Sequence, residues 1–291
     1  MSDTTKGIWL IILSMFLLNA SDAFIKVSAG QITFGHFMVS MGLIGIVVTG
    51  GYTLLAGRPI FRSDFLQPAL LARVAFDVVG ACLLFIALAK VDLSLVAVVT
   101  QASPILIAVF AAILLRETVG WQRWASILAG FIGVLFIVDP LNADFDPNVF
   151  YAIGALIGLT GRDFATRFVS QSVNAVEMSY VGFLGVLPVG LVICLIDGTP
   201  FAPDALHWVY LLAAIFIGIG GLIAIAAAMR FGDLSATAPF RYSRVIFAVI
   251  VGYFAFGEWP TQTMWIGIAL VIGSGVFLLS RKRALRQTGT A

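Results

Sequence analysis

GIWLIILSMFLLNASDAFIKV, residues 7–27, and NVFYAIGALIGLTGRDFATRF, residues 148–168, are two versions of one segment. Each is an apolar run of about the 20 residues that a bilayer-crossing helix needs. Each carries an acid with a base four residues later, Asp22 with Lys26 and Asp163 with Arg167. The first run, from Ile8 after Lys6, has the look of a secretory leader. Its recurrence in mid-chain argues instead for a helix of the mature fold.

The offset between the copies is 163 − 22 = 141, and it persists without a gap. Gly57 meets Gly198, Pro59 meets Pro200, and Gly80 meets Gly221. Asp92-Leu93-Ser94 meets Asp233-Leu234-Ser235, Ala97 meets Ala238, Glu117 meets Glu258, and Trp124 meets Trp265. Apolar helices resemble one another by composition alone, but most of these matches are Asp, Glu, Gly, Pro and Trp. The chain therefore reads as a duplication.

Composition sets the class. Of 291 residues, 60% are hydrophobic and 11% charged, and the net charge is +2. Soluble domains carry about 25% charged residues. The mean hydropathy of +1.05 excludes a soluble domain and predicts an all-α membrane protein. Apolar runs between polar breakers predict ten transmembrane helices, near 7–27, 34–55, 67–89, 94–115, 121–138, 149–169, 175–196, 207–229, 235–256 and 261–280. The two cysteines, Cys82 and Cys194, fall inside apolar runs and read as packing residues.

With ten spans both termini share a side. Placing them in the cytoplasm puts Lys6, Arg58, Arg62, Arg116, Arg123, Arg167, Arg230, Arg281, Lys282, Arg283 and Arg286 inside. Only Lys26 and Lys90 then fall outside, so the positive-inside rule sets this orientation. Five spans per copy mean that the second copy inserts upside down. The expected domains are a first five-helix repeat at 1–140, an inverted second repeat at 148–281, and a cytoplasmic tail at 282–291. Two inverted repeats can exchange conformations about a central site, an architecture of secondary transporters.

Leu114-Leu115-Arg116-Glu117 before Trp121–Val138, and Ala255-Phe256-Gly257-Glu258 before Trp265–Leu279, end the two halves alike. With Gly130, Gly133, Gly267, Gly273 and Gly275 following, they resemble the drug/metabolite transporter superfamily, specifically its EamA family. The resemblance covers the whole chain in architecture and implies a small-metabolite transporter of the bacterial inner membrane. The first half shows Arg116-Glu117 where the family more often has Gly-Glu.

Charges within spans are costly and are paired, face a cavity or function. Asp22 and Lys26, Asp163 and Arg167, and Arg73 and Asp77 are spaced i, i+4 and share helix faces. Structurally, each acid neutralises its own base; functionally, it releases that base to substrate or proton. This leaves Arg162, Arg241 and Arg244 unmatched, with Tyr242 beside the last two. Arginine's fork binds carboxylate bidentately. The expected substrate-binding residues are thus Arg162, Arg241, Arg244, Tyr242, Arg73 and Asp77. Asp22 and Asp163, with Pro104 and Pro239 inside the fourth and ninth spans, are the expected coupling or gating residues. His36 and Glu177, matched at the same offset, read as interfacial.

The function expected is a secondary transporter of a small polar metabolite, an amino acid or organic anion, with a coupled proton or counter-substrate. The alternatives are a lipid or lipid-linked flippase, or a membrane-embedded enzyme acting on lipid phosphates. The enzyme would gather acids at one membrane surface, whereas the acids here scatter over depth. No phosphate-cradling glycine loop, metal-ligand spacing or nucleophile–base pattern stands out. No cofactor, metal, catalysis or nucleic acid partner is expected. Cysteines introduced at Asp144 and Thr199 should react with an impermeant thiol reagent added outside intact cells. Labelling of a cysteine at Thr288 from outside would reverse the orientation.

Overall fold

In hydrocarbon no water completes the backbone's hydrogen bonds, so a spanning chain satisfies them within helices. The computed structural model describes residues 3–29, 31–114, 121–138, 145–198, 204–228 and 238–287. Among them every regular element is helical. The helices are α1 (Asp3–Ser28), α2 (Phe34–Leu55), α3 (Pro68–Lys90), α4 (Leu93–Thr100), α5 (Ser103–Leu114) and α6 (Trp121–Val138). They continue as α7 (Val149–Thr166), α8 (Ala175–Asp197), α9 (Ala205–Ala228), α10 (Ser243–Phe256) and α11 (Gln262–Gln287), with 3-10 turns at Ser63–Leu66 and Ala238–Tyr242.

Six stretches among the described residues are long and apolar enough to cross a bilayer. They are Thr5–Ser28, Phe34–Leu55, Pro68–Lys90, Leu93–Leu114, Ala175–Asp197 and Ala205–Ala224, joined by shorter apolar helices at Ile127–Val138 and Gln262–Ser274. Large apolar side chains cover the outside, with Leu55, Leu195 and Phe254 all more than three-quarters exposed. Asn19, Thr160 and Glu177 are fully buried. This distribution, apolar out and polar in, suits a lipid solvent.

Helices pair chiefly across the chain: α1 on α9, α2 on α8, α3 on α7, and α6 on α11, with α4 on α10 at the centre. Exchanging the two halves turns α1–α9 into α7–α3 and leaves the other pairs unchanged. Lipid gives no hydrophobic drive between helices, so close backbone approach and interhelical hydrogen bonds hold them. On α3 and α7, Gly80 and Gly158 abut so closely that a Cβ on Gly158 would lie 2.6 Å from the Gly80 Cα. On α1, Ser14 and Ser21 donate to the Gly221 and Ala214 carbonyls of α9 at 2.8 and 2.7 Å. Gly57 and Gly198, matched in sequence, adopt the same left-handed backbone with φ of 71° and 61°.

The fourth span differs from its expected form. Residues 94–115 are not one helix: the chain breaks at Gln101-Ala102 into α4 and α5. Pro104 has no amide hydrogen for the Thr100 carbonyl, and the Ile105 and Leu106 amides both turn to the Ala102 carbonyl. The ninth span changes likewise, from the 3-10 turn containing Pro239 to α10 at Ser243. The rings of both prolines, and residues 115–120 and 229–237, lie outside the described residues.

Forcing α3 and α7 apart is expected to be costly. Gly158→Leu should lower stability by at least about 2 kcal/mol, within the range for overpacking a filled contact. Gly51→Ala, whose Cβ meets nothing within 4 Å, should leave it unchanged or slightly raised. Thermal unfolding of the two variants in detergent checks the contrast.

Candidate functional site

The helix breaks meet at the centre. Gln101, at the end of α4, donates its side-chain amide to the Arg241 carbonyl at 2.7 Å. Ser103, at the start of α5, accepts from Thr160 of α7 at 3.1 Å. A broken helix exposes backbone groups that a continuous one hides, which makes such a crossing a place for ligands. The charged residues singled out in the sequence gather around it in two groups.

The first group joins α3 to α7. Arg162 Nη1 lies 3.1 Å from Asp77, and Nη2 lies 2.9 Å from Asp163. Asp77 also meets Arg73, one turn away on α3, at the longer distance of 3.8 Å. Arg73 donates in turn to Thr166 Oγ1 at 3.2 Å and to the Met178 carbonyl of α8 at 3.1 Å. The second group is a single pair, with Arg244 of α10 2.5 Å from Asp22 of α1.

Three expectations are thereby corrected. Asp22 does not pair with Lys26, and Asp163 does not pair with Arg167. Arg162 and Arg244 are not unmatched. The physical reason is reach: Arg244 comes to Asp22 from the opposite half, while Asp163 is taken by its own neighbour Arg162, which also bridges to Asp77 of the other half. Arg73 and Asp77 do pair, but only as the weak arm of the Arg162 network. Arg241 alone keeps its expected status. Among the described residues it has no ion-pair partner, though Asp163, Arg162 and Arg244 lie within electrostatic reach. Its side chain is exposed, whereas Tyr242 next to it is buried. Three interior acids thus face four interior arginines, and the surplus charge sits on the accessible one.

The structure also shows a site that pairwise sequence spacing missed. Lys26, near the end of α1, bonds Glu258 at 2.9 Å and the Val91 carbonyl at 2.6 Å. Glu258 simultaneously accepts from the Leu93 and Ser94 amides at 3.0 and 3.2 Å, capping the first turn of α4. A carboxylate there satisfies free amides and complements the helix dipole. Asp92 beside it is held above the usual carboxylate range by partial burial and by the Glu258 charge, with Lys26 opposing. Lys26, Glu258 and Leu93-Ser94 each recur at the 141 offset, as Arg167, Glu117 and Leu234-Ser235. The offset thus marked all three, but not that they meet. Glu117 and residues 234–235 lie outside the described residues.

His36 and Glu177 lie in the first turns of α2 and α8. His36 Nδ1 contacts Thr33 Oγ1 at 2.7 Å. Glu177 completes a capping box with Asn174 at the start of α8 and binds Arg58 at 3.2 Å and Arg62 at 3.5 Å across the bundle.

A family model described as the EamA-like transporter family matches residues 5–139 and again residues 147–281. The chain is 28% identical over 197 residues to an S-adenosylmethionine uptake transporter of Rickettsia prowazekii (strain Madrid E), covering 65% of this chain and 64% of that protein. It is 28% identical over 193 residues to a riboflavin transporter of Vibrio cholerae serotype O1, covering 66% and 64%. The match therefore spans slightly less than two thirds of the length of these relatives. A riboflavin transporter of Brucella anthropi is 26% identical over 225 residues, covering 74% of this chain and 78% of that protein. A solved crystal structure superposes with a TM-score of 0.64 over 97% of this chain and 98% of that one, at 19% identity, a likeness of fold alone.

Glu258→Ala strands Lys26 and the α4 amides together. The expected cost is about 3–5 kcal/mol, the scale for removing one side of a buried ion pair. The Lys26→Met, Glu258→Gln double variant should recover part of it. A melting temperature for E258A equal to that of the parent protein would show that this contact carries no energy.

Proposed function

The chain belongs to the EamA-like transporter family, and on that footing we propose that it is a secondary transporter carrying a small polar metabolite with a carboxylate group across the bacterial inner membrane by alternating access. The proposal includes ten spans in two inverted five-helix repeats, 1–140 and 148–281, with a tail at 282–291 and both termini cytoplasmic. The exchange-invariant helix pairing and the two matches of one family model support that arrangement.

The observation that carries the substrate reading is Arg241. It is exposed, it has no counter-ion among the described residues, and it lies at the crossing of the two broken spans. A guanidinium closed off from water without an anion is costly in a bilayer. Water solvates it while the cavity is open, and a substrate carboxylate replaces that water on closure, bound by the guanidinium fork. S-adenosylmethionine, named for one set of relatives, is an amino acid and carries such a group; riboflavin, named for another, does not.

The neighbouring network supplies a coupling route. Arg162 is shared between Asp77 and Asp163. A proton on either acid frees part of its fork, which links charge state to how α3 and α7 hold together. Asp22 with Arg244 does the same between α1 and α10, and the breaks beside Pro104 and Pro239 let the half-spans move. In this reading the Lys26–Glu258–α4 contact closes the external end, since it ties α1, the end of α10 and the start of α4 into one joint.

The test compares S-adenosylmethionine with its carboxamide in binding to purified protein. The acid should bind at least tenfold more tightly. Arg241→Ala should remove that preference, and Arg241→Lys should restore it only in part, because a point charge does not reproduce the fork. Equal affinity for acid and amide in the parent protein would refute the carboxylate reading.

A further inference from the structure

Buried polar side-chain atoms find partners in folded proteins, and each exception asks for an explanation. Five such atoms lack a partner among the described residues: Asn19 Oδ1 and Nδ2, Tyr242 Oη, Ser243 Oγ and Arg244 Nε. They are not scattered. Four residues carry them, three of which are consecutive at the start of α10, while Asn19 lies on the helix that packs against that start. Asn19 is completely buried and Tyr242 is 5% exposed.

Local geometry brings the two segments together. Asp22 stands one turn beyond Asn19 on the same face of α1, and Arg244 reaches Asp22 at 2.5 Å. In the other half the positions equivalent to Asn19 and Arg244 bond each other. Thr160, at 19 + 141, bonds Ser103, at 244 − 141, at 3.1 Å. There both hydroxyls are satisfied; here the equivalent positions are Asn19 and Arg244, and they are not.

The charges select what can bind. Arg244 repels a cation and Asp22 repels an anion, and together they are neutral. What is left is a set of uncharged donors and acceptors: an amide, a phenol, a hydroxyl and one guanidinium N–H. An asparagine amide presents donor and acceptor side by side, which matches the adjacent acceptor and donor on a nitrogen heterocycle, as asparagine does with adenine. We infer that Asn19, Tyr242, Ser243 and Arg244 form a subsite for the uncharged, hydrogen-bonding ring of the substrate, while Arg241 takes its charged group.

This inference rests on the transporter reading above but not on the carboxylate. Arg241 is exposed and Tyr242, its neighbour, is buried. A ligand that enters at Arg241 therefore reaches the orphan atoms as the first turn of α10 shifts, and the break before Ser243 allows that shift. Orphan atoms are a standing cost to the empty fold, of the kind functional sites retain.

The experiment measures binding of adenosine, riboflavin and S-adenosylmethionine to the purified full chain, alongside melting temperature. The parent protein should bind at least one of the uncharged probes, adenosine or riboflavin. Asn19→Leu, similar in size but apolar, should keep or raise the melting temperature. It should weaken the uncharged probe and S-adenosylmethionine alike by tenfold or more. Arg241→Gln should weaken S-adenosylmethionine and spare the uncharged probe. If Asn19→Leu weakens both while Arg241→Gln weakens neither, the ring subsite stands and the carboxylate reading falls. If Asn19→Leu does not fold, Tyr242→Phe makes the same comparison. Binding unchanged within twofold in the variant, or no binding of adenosine or riboflavin by the parent protein, overturns the subsite.

Discussion

Three acids and four arginines lie inside a bundle whose outer surface is apolar, and the need to match those charges governs the rest of the structure. Charge burial in a bilayer is expensive unless a partner is at hand. Here two of the partners come from the other half of the chain. Arg162 on α7 reaches Asp77 on α3, and Arg244 on α10 reaches Asp22 on α1. Electrostatic matching and helix pairing are therefore one requirement. The glycine contact of α3 with α7 brings the backbones close enough for Arg162 to bridge them, and the bridge in turn fixes how those helices sit.

The broken spans follow from the same economy. A continuous helix has no free backbone groups to offer, and a break in lipid would leave them unsatisfied. Gln101 at one break bonds the Arg241 carbonyl at the other, and at the loop end of that span Glu258 caps the first turn of α4 while holding Lys26. Each repair uses a residue from the opposite half. Any motion of one half against the other must then exchange these contacts together.

Site chemistry divides along residues 241–244. Arg241 is exposed and has no ion-pair partner among the described residues, Tyr242 and Ser243 hold buried hydroxyls, and Arg244 spends its charge on Asp22. A ligand with one anionic end and one neutral hydrogen-bonding end would satisfy all four.

The amino-acid sequence by itself determined the membrane class, the helical fold and the family, because those depend on composition, on run length and on short motifs. It also marked the charged residues that the fold gathers: the 141 offset picked out Asp22, Asp163, Lys26 and Glu258, and the count left after i, i+4 pairing picked out Arg162, Arg241 and Arg244. It did not determine who pairs with whom. Spacing of i, i+4 reports only neighbours on one helix, so Asp22 was matched to Lys26 and Asp163 to Arg167. In the folded chain Asp22 meets Arg244, 222 residues away, and Lys26 meets Glu258. The fourth span read as continuous because its hydropathy is continuous, although Pro104 lies within it. Only tertiary structure decides such matters: an interior charge takes the nearest opposite charge in space, and that distance is set by the packing of helices far apart in sequence.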